Sequence, residues 1–120
     1  MNREIKFRAW DRVEKEMVKV NILNWSYASG LEVNNSNVSL PATLMQYTGL
    51  KDKNGKDMFE GDIVRVENGS EGIIFAKVEW NDYGYMFKRA DGQRWWFYQW
   101  PSSEVEVIGN IWEHPELLNN

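Results

Sequence analysis

Four carboxylates, Asp52, Asp57, Glu60 and Asp62, crowd around the stretch Lys53-Asn54-Gly55-Lys56, and oxygen donors at that density invite a calcium ion. The spacing denies it. With Gly55 at the sixth position of a calcium loop, Leu50 falls first and Gly61 twelfth, where acids are required. The same residues read instead as a solvated turn, with Asp62 accepting hydrogen bonds from nearby backbone N–H groups. His114 is the single histidine, it stands beside Pro115, and there is no cysteine. That excludes disulfides, thiolate zinc sites, iron–sulfur clusters and cysteine nucleophiles, and it leaves little for imidazole catalysis. No serine occupies a Gly-x-Ser-x-Gly setting, so a nucleophile elbow is absent as well. Paired carboxylates beside many tryptophans would suit a glycoside hydrolase, but 120 residues rarely supply both a small barrel and a deep cleft. The expectation is a protein that is not an enzyme and holds no metal and no cofactor.

The segment Trp95-Trp96-Phe97-Tyr98-Gln99-Trp100 is the one chemically unusual run. Read as a strand, it points Trp95, Phe97 and Gln99 one way and Trp96, Tyr98 and Trp100 the other, so both faces are apolar. Three explanations compete. In the first, the chain's own N-terminal hairpin or its 24–40 region covers the second face; in the second, another copy covers it, since aromatics are enriched at interfaces; in the third, it stacks nucleotide bases while Lys88, Arg89 and Arg94 contact phosphates. The candidate binding or oligomer surface is therefore Trp95, Trp96, Tyr98 and Trp100 with Lys88, Arg89 and Arg94. Lys6, Arg8 and Arg12 with Trp10 make a second basic-aromatic face, read as an exposed strand whose stems cover the tryptophan.

The elements that must position these residues follow from period-two alternation. Ile5, Phe7 and Ala9 alternate with Lys6, Arg8 and Trp10, and Val18, Val20 and Ile22 return after a polar connection, which predicts a hairpin. Gly30 and Asn34-Asn35-Ser36-Asn37 are turn chemistry, separating short strand-like pieces at Leu31-Glu32-Val33 and Val38-Ser39-Leu40. Asn54-Gly55 is the strongest tight-turn signal, read as type I′ with positive φ at both residues. Strands then follow at 63–66, 73–80, 85–88, 95–100 and 105–108, and only 114–118 hints at helix. Short strands at this spacing predict an all-β, antiparallel fold, and Glu60-Gly61-Asp62-Ile63-Val64 leading through a glycine-containing turn to Ala76-Lys77-Val78-Glu79-Trp80 resembles the opening strands of an SH3-like or related small barrel in the second half. The chain reads as one domain: 1–23 an N-terminal β-hairpin, 24–43 an irregular connecting region, 44–120 the small-barrel portion and C-terminal tail.

With 42% hydrophobic and 27% charged residues the composition is that of an ordinary globular protein, not of a disordered chain. Fourteen basic against eighteen acidic residues give a net charge of −4, which opposes non-specific attraction to phosphate or anionic membrane. Charges early in the chain and the lack of a long apolar run predict a cytosolic protein without a secretion signal or membrane span.

Three segments carry a resemblance: Ile5-Lys6-Phe7-Arg8-Ala9-Trp10-Asp11; Leu44-Met45-Gln46-Tyr47-Thr48-Gly49-Leu50-Lys51-Asp52 with Asn54-Gly55 and Glu60-Gly61-Asp62-Ile63-Val64; and Val107 to Leu118, which contains Gly109-Asn110-Ile111-Trp112-Glu113-His114. In order and spacing the sequence resembles the YopX family of phage and prophage proteins. The resemblance implies a small, mainly β protein working in the cytoplasm of a bacterial host cell, with no catalytic residues to carry over. The expected role is a non-catalytic accessory or binding protein, homo-oligomeric, whose partners are itself or a host or phage protein. The alternative is a nucleic-acid-binding regulator using the basic-aromatic surface.

Overall fold

Alternating residues and glycine-bearing turns produce strands throughout the computed structural model, which describes residues 5–20, 23–26, 30–33, 42–68, 72–81 and 84–119. The all-β expectation holds, and the division falls after Tyr47, giving units Met1–Tyr47 and Thr48–Asn120.

In the first unit, β1 (Phe7–Asp11) and β2 (Glu16–Lys19) form the expected antiparallel hairpin, with Ala9 opposite Val18. Its turn is held by Asp11, whose Oδ1 accepts the N–H groups of Val13 and Glu14. Lys15 closes the turn at φ 57°, a conformation unusual for a residue with a Cβ. β3 (Leu23–Ser26) and β4 (Gly30–Val33) pair as a second hairpin inside the stretch expected to be irregular. The piece expected at Val38-Ser39-Leu40 and the end of the return strand at Ile22 lie outside the described residues. β5 (Ala42–Lys51) pairs on the other side of β1, Leu44 opposite Ala9, and crosses the division between the units.

The second unit begins with the end of β5, and β6 (Asp57–Phe59) returns beside it. The connecting turn is not the type I′ turn expected. Gly55 has φ +82° whereas Asn54 does not have a positive φ. Gly55 N–H bonds to Asp52 O and Asp52 N–H to Lys56 O, a type I turn followed by one left-handed residue. Glycine alone carries the left-handed position, so Asn54 is free to lie in the ordinary helical region.

β7 (Asp62–Asn68), β8 (Gly72–Asn81), β9 (Gly84–Arg89), β10 (Arg94–Trp96) and β11 (Val105–Asn110) form a five-stranded antiparallel sheet in the order β10-β9-β8-β7-β11. Ile74, Ala76 and Val78 lie on its inner face with Val64, Val66, Phe87, Val105 and Val107, and Met58 joins that core. The alternation predicted these inward positions because one face of a pleated strand must leave water.

The run from Trp95 to Trp100 departs from the strand expected of it. Only Arg94–Trp96 pairs, on the edge of the sheet, and Phe97–Gln99 is a turn of 3₁₀ helix. The Gln99 side-chain oxygen accepts the Trp96 N–H at 2.7 Å, and Trp100 N–H reaches Phe97 O. An edge strand has no neighbour on its outer side, so the side-chain bond satisfies a donor there and the chain turns.

Candidate functional site

That turn decides where each aromatic goes. Trp95 and Trp100 are 7% and 4% exposed, and both belong to the core of the second unit with Phe97 packed against it. Trp100 therefore sits with Trp95 and Phe97, not on the opposite face as strict alternation requires. Rings follow one another from inside to outside: Trp95 to Trp100 at 4.7 Å, Trp100 to Phe87 at 4.8 Å, Phe87 to Phe97 at 4.3 Å, Phe97 to Tyr85 at 5.9 Å and Tyr85 to Trp80 at 4.8 Å. Offset and edge contacts of this kind stabilise beyond area burial. At the outer end Trp80 is 58% exposed, and Tyr98, on the 3₁₀ turn, is 82% exposed.

The basic residues separate as well. Arg89 lies over the Trp95 ring at 5.3 Å and is bound to Asp91 and Gln93. Its guanidinium, with the Gln93 N–H, holds the Asp91 carboxyl below its usual value. Lys88 and Arg94 stand directly opposite one another on β9 and β10, and Lys77 stands opposite Lys88 on β8. Sequence reasoning missed Lys77, since only register places it in this row. Arg94 bonds to Glu79 at 2.8 Å, and Lys77 lies 3.9 Å from the same carboxylate. A cleft of about 300 Å³ opens beside the row, lined by Lys77, Lys88, Arg89, Ala90, Pro115 and Leu118. In the first unit the basic-aromatic face is partly covered: Trp10 is buried, Lys6 stands over Tyr47 at 4.6 Å, and Arg12 donates to Thr43.

The acidic and histidine candidates resolve into turn and cap chemistry. Asp52 is buried, and its carboxylate accepts N–H groups from Asn54, Lys56 and Val107. Burial pushes its carboxyl up, but the bonds from Val107, Lys56 and Asn54 and the Lys56 charge outweigh that and hold it below the usual aspartate value. Asp62 is buried and accepts Phe59 N–H at 2.8 Å, ahead of which Gly61 turns at φ +84°. Asn110 accepts the N–H groups of Trp112 and Glu113, and His114 Nδ1 accepts Asn110 N–H at 3.4 Å. The His114 ring lies so close to Gly109 that an added Cβ would stand 2.7 Å from Nδ1. Among the described residues no group of three or more His, Asp or Glu side chains could hold a metal.

Fold and site together define a small, antiparallel β protein whose recognisable motifs are spent on turns, caps and one close backbone approach. The chain belongs to the YopX protein family, whose family model matches residues 6–119. It is similar to protein EF1440 from Enterococcus faecalis, known from a crystal structure, at 28% identity and a TM-score of 0.69 over 98% of this chain and 99% of that one. No curated protein matches the sequence. Among the described residues no helix is long and apolar enough to cross a membrane.

Proposed function

We propose that this YopX protein is phage- or prophage-encoded and acts in the cytoplasm of a bacterial host as a non-catalytic binding protein. The observation that carries the reading is the engagement of its polar motif residues: Asp52, Asp62, Asn110 and His114 Nδ1 each accept backbone N–H groups that hold turns together. A general acid or nucleophile needs an exposed reacting atom in a cleft, and these atoms face their own backbone. The test is affinity purification of tagged protein from infected or lysogenic cells, with and without nuclease. A stoichiometric host or phage partner supports the reading. Turnover of any substrate that is abolished by His114→Gln in a still folded protein overturns it.

Self-association is a second reading, favoured by the exposure of Trp80 and Tyr98. Trp95 and Trp100 no longer motivate it, because the second unit covers them itself. A homo-oligomer built on the outer aromatics would remove large rings from water, the main favourable term in association.

A further inference from the structure

We infer that the face of the five-stranded sheet opposite its core binds single-stranded nucleic acid along the row Lys77–Lys88–Arg94, an assignment that rests on the binding-protein reading and names its partner. The register puts these three cations directly opposite one another on adjacent strands. Like charges so placed destabilise a sheet. Glu79 serves both flanking cations, which leaves three positive charges against one negative, and Lys88 in the middle makes no ion pair with any described residue. A phosphate lying over Lys88 would turn that repulsion into attraction.

The layout favours a chain of phosphates over a single one. Two strand spacings separate Lys77 from Arg94, roughly 10 Å, so the cations are strung out and do not converge on a point. The next row on the same face is Glu79, Met86 and Trp96, which sets a partly exposed indole beside the cations, where a base leaving the strand can stack. The cleft bounded by Lys77, Lys88, Arg89, Pro115 and Leu118 continues the path with an apolar wall. A duplex is the poorer fit, because its bases are stacked inward and unavailable to an indole. The net charge of −4 keeps long-range attraction low, so binding depends on this local row.

Fluorescence anisotropy of a labelled oligothymidylate, titrated at several salt concentrations, tests the assignment. Three neutralised phosphates give a log–log salt slope of about −2, and Lys88→Gln makes it shallower by about 0.7. Lys53→Gln, outside the row, leaves the slope unchanged. Trp96→Leu weakens binding roughly fivefold or more while leaving the slope intact. Lys88→Gln removes a like-charge contact and melts no lower than the parent, so lost binding is not lost folding. Absence of binding by the wild type, equal binding by Lys88→Gln, or a duplex or mononucleotide competing as well as the strand overturns the inference. If the strand does not bind while a nuclease-resistant partner still co-purifies, this assignment fails and the binding-protein reading stands.

Discussion

The Asp52 carboxylate ties the Lys53–Lys56 turn to β11 by accepting Asn54, Lys56 and Val107 N–H groups. Its carboxyl lies below the usual value in the folded protein, so the unfolded chain binds its proton first as pH falls. The stabilisation is complete above the unfolded pKa, about 4, and is lost as acid carries the pH down through the folded value. Asp52→Ala is expected to cost ~1–3 kcal/mol at neutral pH, because the buried Val107 N–H loses a charged acceptor along with the part-buried Asn54 and Lys56 donors. Denaturant unfolding from neutral pH to below pH 4 checks this: the variant loses part of the parent's acid sensitivity. A turn role for this cluster was legible from the failed calcium spacing, but the Val107 contact was not, since the two residues lie far apart in the chain.

At the scale of elements, the end of β10 governs the aromatic run. Its strand character ends at Trp96 because an edge has no further partner and Gln99 satisfies the exposed donor. Trp100 consequently packs on Phe87 and Trp95, while Tyr98 stays outside. Trp100→Ala is expected to destabilise by ~3–5 kcal/mol through the cavity it leaves, and Tyr98→Ala by no more than about 0.5 kcal/mol. Equilibrium unfolding of the two variants separates them. Comparable losses would show that Tyr98 also supports the fold. The residue types predicted a crowded aromatic segment, but its facing depended on where the edge strand stops.

For the whole molecule, the exposed Trp80 and Tyr98 yield a prediction about association. Light scattering with chromatography at high micromolar concentration is expected to show an oligomer that Trp80→Ser with Tyr98→Ser reduces to a folded monomer; a monomeric wild type would refute it. The sequence by itself determined the all-β class, the β1–β2 hairpin and the family, because alternation, turn glycines and the Gly109-Asn110 and Gly61-Asp62 signatures are local and each acts within a few residues of itself. It determined the lack of thiol chemistry outright. Tertiary structure alone decided that Lys77 joins Lys88 and Arg94, that Asp52 reaches Val107, that His114 lies against Gly109, and that Trp95 and Trp100 share one interior. Each of these depends on strand register or on how a strand ends, and a shift of one residue in either would move every side chain concerned to the other face.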